Sequence, residues 1–181
     1  KQTEKALIVA TKDNTKLFIN GNSSPAITLN SRQYYLTPIS LFSGKDMYIN
    51  ASEPIYCFQL SSGTNKAGRE GDYSYFAESM SYLQPFDSNI PGSINKIISA
   101  EKIGDNSYKN FLNILIPNNN TLKINNKGVD TQYGPYSIIG NDSYKYYSIK
   151  DFSGDAKLES ENGLIAELIG GSTELVHGWS S

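Results

Sequence analysis

The stretch Tyr34 to Gly63, YYLTPISLFSGKDMYINASEPIYCFQLSSG, returns in degraded form as Tyr146 to Gly171, YYSIKDFSGDAKLESENGLIAELIGG. Both copies carry a tyrosine pair, then Phe-Ser-Gly (Phe42-Ser43-Gly44 and Phe152-Ser153-Gly154), then an apolar-polar alternation, a break and a second apolar run ending in small residues. The echo starts earlier. Ile8-Val-Ala-Thr-Lys-Asp-Asn-Thr15, followed by Leu17 and Ile19, is answered by Ile114-Leu-Ile-Pro-Asn-Asn-Asn-Thr121, followed by Leu122 and Ile124. A chain built this way folds as two similar units. Each is small enough for its core to be marginal alone, so the two are expected to lean on each other.

Within each unit, short runs of β-formers alternate with turn chemistry. In the first these are Leu7 to Ala10, Thr15 to Asn20, Ala26 to Leu29, Gln33 to Leu36, Met47 to Ile49 and Ile55 to Leu60. In the second they are Ile94 to Ile98, Phe111 to Ile116, Thr121 to Ile124, Tyr136 to Ile139, Tyr144 to Ile149, Ala156 to Leu158 and Leu164 to Ile169, with a closing strand near Trp179. Short strands at this spacing predict an all-β fold of two tandem antiparallel β-sandwich units, residues 1–90 and 91–181, with almost no helix. Residues 61–92 break the pattern as an aromatic-rich loop, too long for a plain connection. Two prolines near the boundary, Pro85 and Pro91, stiffen the chain there, and Phe86 is expected to pack across a fixed seam.

The formal net charge of −2 comes without any basic cluster, which excludes a nucleic-acid partner. No apolar run approaches the length of a membrane-spanning helix, so no membrane insertion is expected. The chain opens close to its first strand and stops at Trp179-Ser-Ser181, as a piece of a longer protein with neighbouring domains would. Fourteen lysines against two arginines, with many Asn and Ile, suit a bacterial gene poor in G and C. Sequons at Asn22, Asn50, Asn119 and Asn141 matter only in a glycosylating host.

Chemistry has few places to reside. The single Cys57 lies between Tyr56 and Phe58 and reads as a buried structural thiol. The one histidine, His177, stands near the C-terminus and is poorly placed for a triad. The acids Glu70, Asp72, Asp87, Glu159, Glu161 and Glu167 show no spacing that singles out a glycosidase pair. The chain is therefore read as no enzyme, with no required cofactor. Asp151 and Asp155 flank Phe152-Ser-Gly154 and are the candidate calcium ligands, set against a purely structural turn with glycine at positive φ. Exposed aromatics beside amides and carboxylates make a glycan platform. The candidates are Tyr73, Tyr75, Phe76 and Tyr82 in the insertion, and Trp179; the recurring Tyr34, Tyr35, Tyr146 and Tyr147 point to a core or interface role for one of each pair.

The segment Ile8 to Thr15, then Leu29-Asn30, Tyr34-Tyr35, Gly44 and Ala51-Ser-Glu-Pro54-Ile55, resembles the domain named after the N-terminal region of the IgG-Fc-binding protein. The second unit departs from it, with Pro117-Asn-Asn in place of Thr11-Lys-Asp and Gly163 in place of Pro54. The resemblance implies β-sandwich units in an extracellular, cell-surface protein of adhesive or recognition function, not an enzyme; with the aromatic platform above, the expected partner is an extracellular glycan or a host or cell-surface protein. The alternatives are a structural spacer or a β-sandwich carbohydrate-active enzyme. No residue here licenses carrying Fc binding itself over.

Overall fold

The computed structural model describes residues 5–42, 46–61, 79–86, 90–98, 101–103, 105–171 and 178–180. Among them there is no α-helix, only single 3-10 turns at Ile39–Leu41 and Thr131–Tyr133. The first half holds β1 (Lys5–Ala10), β2 (Thr15–Ile19), β3 (Ile27–Leu29), β4 (Tyr34–Leu36), β5 (Ile49–Ala51), β6 (Ile55–Ser61) and β7 (Ser79–Tyr82). The second holds β8 (Ser93–Ile97), β9 (Lys102–Ile103), β10 (Asn106–Ser107), β11 (Lys109–Pro117), β12 (Lys123–Ile124), β13 (Lys127–Gly128), β14 (Tyr136–Ile138), β15 (Asn141–Phe152), β16 (Ala156–Glu159), β17 (Ile165–Gly171) and β18 (Gly178–Ser180). Every pairing is antiparallel.

Each half is two sheets facing one core. The first packs β4-β1-β6-β7 on β3-β2-β5, and the second packs β14-β15-β11-β17-β18 on β13-β12-β16-β8, with the β10-β9 hairpin beside it. Among the described residues no sheet mixes strands of the two halves. The first core holds Ala6, Ile8 and Ala10 from β1 with Leu17 and Leu29 from the opposite sheet. The second is larger, with Leu112, Ile114 and Ile116 of β11 meeting Tyr147, Ile149, Leu158 and Leu168. Strict alternation produces this, since β11 buries every second residue and turns the others outward.

The repeat read from sequence holds down to the register. Ile8 stands between Tyr35 and Cys57, and Ile114 stands between Tyr147 and Ala166. In the facing sheets Ile19 is opposite Ile49 and Ile124 opposite Leu158. Two details differ from expectation. The strand foreseen at Met47 to Ile49 runs instead over Ile49–Ala51, and part of the supposed loop 61–92 is the edge strand β7, which pairs Phe58 with Tyr82.

The halves touch at a defined seam. The Asp46 carboxylate accepts the Ile139 N–H at 3.0 Å, the Phe86 ring lies 4.5 Å from that of Tyr144, and β7 runs beside β18. Gly21 and Gly140 meet backbone to backbone, so closely that a Cβ on Gly140 would fall 2.2 Å from the Asn20 carbonyl carbon. Phe86 is thus a seam residue, as expected. Ile90-Pro91-Gly92 is tied to the second sandwich: Leu164 N–H donates to Pro91 O at 3.0 Å and Ser160 N–H to Gly92 O at 2.7 Å.

Candidate functional site

The seam leaves a cleft of about 1320 Å³ between the sandwiches. Its floor is the outer face of β15-β11-β17. The alternation that buries Leu112, Ile114 and Ile116 turns Phe111, Asn113 and Leu115 outward, and the register lines each up with its neighbours. Leu115 lies between Tyr146 and Ile165, Asn113 between Ser148 and Glu167, and Phe111 between Lys150 and Ile169. All nine are half-buried, apart from the exposed Lys150.

The middle row is a polar line. Ser148 Oγ donates to Asn113 Oδ1 at 2.9 Å, and Asn113 Nδ2 donates to Glu167 Oε2 at 3.5 Å. Such a row orients its remaining donors and acceptors toward the cleft. Beside it Tyr136 and Tyr146 hold their rings 5.3 Å apart at 40°. Burial, the Asp46 carboxylate and Tyr136 together raise the pKa of the Tyr146 phenol, so it stays a neutral hydroxyl at physiological pH. The opposite wall comes from the first sandwich and mixes polar with apolar groups: Asp46, Tyr48, Gln59, Ser81, Tyr82 and Gln84 stand beside Phe42, Met47, Ile49, Met80 and Leu83. The cleft therefore offers aromatic and aliphatic faces together with amides, hydroxyls and a few carboxylates.

The residues singled out by sequence fall in different places. Tyr82 is on β7 at the cleft mouth, half-exposed, with its ring 5.7 Å from Phe58 and 6.4 Å from Tyr56. Tyr73, Tyr75 and Phe76 lie outside the described residues, as do His177, Glu70, Asp72 and Asp87. Trp179 belongs to β18, where it pairs with Gly170; its side chain is outside the description. In each recurring tyrosine pair one member turns inward: Tyr147 is in the second core and Tyr35 packs against the first, while Tyr34 is 68% exposed.

Asp151 lies at the cleft rim at φ 51°, its carboxylate 3.9 Å from Lys109, and Asp155 is 2.9 Å from Lys96. Between them Gly154 sits at φ 75° and donates its N–H to Glu101, the turn geometry that glycine was expected to supply. Among the described residues no three His, Cys, Asp or Glu side chains gather as a metal site would need. Cys57 faces the first core, and burial pushes its thiol up to about 11.

Sequence reasoning missed Tyr136, Asn113 and Ser148. The available signal was the polar Asn113 at an outward position of an otherwise apolar strand, opposite Ser148 and Glu167 once the register is known.

Among the described residues no helix is long and apolar enough to cross a membrane. Searches of curated proteins and of solved structures give no match. One family model, described as IgGFc binding protein, matches residues 1–170 in a single span that runs through both sandwiches and the cleft between them. The resemblance carried by the first unit thus extends over the second, and the chain belongs to the IgGFc binding protein family.

Proposed function

We propose that the chain is a non-catalytic extracellular recognition module of a larger surface protein, and that it binds glycan in the cleft between its sandwiches. One observation carries this: the tilted Tyr136 and Tyr146 rings beside the hydrogen-bonded Ser148, Asn113 and Glu167 row, on the floor of a cleft large enough for several sugar rings. Rings cover the apolar faces of sugars while amide and carboxylate groups bind their hydroxyls. Family membership supports a binding role outside the cell. The adhesive use, with units divided near residue 90, is our reading; the ties of Pro91 and Gly92 to the second sandwich support that division.

The test is a glycan array followed by titration of the best ligand against Tyr146→Ala and Asn113→Ala. Loss of binding by tenfold or more in both, with unchanged melting, is the expected result. Binding that survives both changes would move the ligand elsewhere. A spacer role, favoured by the pinned seam, predicts no ligand on any array. Because the family is described by IgG Fc, the same titration with Fc distinguishes a protein ligand, and release of reducing sugar would reveal an enzyme.

A further inference from the structure

We propose that the outer face of the β4-β1-β6-β7 sheet is a homodimer interface, on which a second copy of this chain packs the same face. Alternation along these strands turns Tyr34, Leu36, Leu7, Val9, Tyr56, Phe58, Leu60, Met80 and Tyr82 to one side, away from Ala6, Ile8 and Cys57 in the core. The register sets them in rows. Leu36, Leu7, Phe58 and Tyr82 run straight across four strands, Tyr34, Val9 and Tyr56 lie beside them, and Leu60 with Met80 forms a third.

The second sandwich provides the contrast. Its equivalent of the row Leu36, Leu7 and Phe58 is Ser148, Asn113 and Glu167, the polar line that faces the cleft. Where this face of the fold lines the cleft, its middle row carries hydrogen-bonding groups; on the first sandwich the same three positions carry none. Yet Tyr34 is 68% exposed, Met80 63%, Tyr56 54%, Tyr82 53% and Leu36 41%. These five side chains together present roughly 600 Å², the upper end of the largest apolar patch a monomer commonly shows, and two copies about 1,200 Å², the lower bound of a specific interface.

Self-association fits better than an oppositely charged partner because Lys5 is the one charge in these rows. Two twisted sheets of equal width pack face to face with aligned strands, and a two-fold axis lets each row meet its copy. The face adjoins the cleft, since Met80 and Tyr82 also line it, but the dimer rests on the apolar rows and not on any ligand, and it would present two clefts at once.

Sedimentation equilibrium across a concentration series tests it. The expected result is a dimer with a dissociation constant at or below about 10 µM. Tyr56→Glu and Met80→Glu, both at exposed positions, should each weaken it tenfold or more while leaving the melting temperature at low concentration unchanged. Ile98→Glu, exposed outside this face, should leave the dimer intact. If one variant misfolds, Tyr34→Glu replaces it. A chain monomeric at about 100 µM would overturn the proposal and leave the face to a different protein, and so would a dimer that survives all three face substitutions.

Discussion

Asn20 and Asn125 hold the same clamp in the two sandwiches. Each stands in the left-handed region, at φ 54° and 50°, where a β-branched or bulky side chain would be strained. Asn20 Oδ1 accepts the Tyr48 N–H at 3.0 Å while its own N–H donates to Tyr48 O at 2.8 Å; Asn125 does the same with Lys157, at 2.8 and 2.9 Å. The side chain thus continues the pairing of β2 with β5, and of β12 with β16, one step past the ends of β2 and β12. Asn125→Ala loses the side-chain bond and strains the backbone, for a cost of about 2 kcal/mol. Asn125→Gly keeps the conformation and should cost less, about 1 kcal/mol. Chemical denaturation of the two variants checks the order.

The seam prediction concerns Gly140, at φ 69°. A Cβ there would meet the Asn20 carbonyl carbon, the Asn20 oxygen and the Gly21 nitrogen, all backbone atoms that cannot swing aside. Gly140→Ala is expected to force the sandwiches apart and cost 2 kcal/mol or more, as overpacking and a positive φ together require, by an estimate of about that size. Small-angle scattering should show a larger radius of gyration than the wild type, and thermal melting should show two transitions where one is expected of the wild type.

Phe86→Ala tests the same seam from its other end. The ring is half-buried against Tyr144, so its loss is expected to cost about 1 to 2 kcal/mol, below the cost of a fully buried aromatic. A double-mutant cycle with Tyr144→Ala should return a coupling of about 0.5 to 1.5 kcal/mol. A coupling of zero would place the Phe86 ring away from Tyr144 in solution.

Sequence made the architecture legible because two signals agreed. The period-2 alternation defined strands, and the repeat gave two independent views of each, so Ile8 and Ile114 could be matched before their partners were known. The cleft was not legible, since its floor depends on which residues of β15 and β17 stand beside Asn113. Cross-strand neighbours of this kind are some 35 and 54 residues away along the chain. Edge strand β7 was hidden for a related reason: Ser79-Met-Ser-Tyr82 is too short and too mixed to signal a strand until Phe58 and Leu60 are there to pair with.

The turn around Asp151 and Asp155 offers a check on calcium. Each carboxylate has a lysine beside it, Lys109 and Lys96, both pairs exposed. A bound cation would have to displace Lys96 from Asp155 and draw both acids to one point. We expect no change in melting temperature between millimolar calcium and excess chelator. A calcium-dependent rise that disappears in Asp155→Asn would establish the ion site.

The last prediction rests on Cys57. Its thiol faces the core beside Ile8, and burial holds it protonated up to about 11. In the unfolded chain an ordinary thiol ionises near about 8.5. Between these values the folded state binds more protons than the unfolded one. The contribution to stability is therefore complete below the unfolded value and is lost as pH rises toward the folded one, up to about 3 kcal/mol in all. The measurement is a difference between two proteins that share every other group. Denaturation of the wild type and of Cys57→Ala from pH 8 to 11 should show the wild type losing its advantage as pH rises. Native Cys57 should also resist a thiol reagent at neutral pH and react at once when the chain is unfolded. Parallel pH curves for the two proteins, or rapid labelling of the native thiol, would mean that β6 does not hold Cys57 against the core.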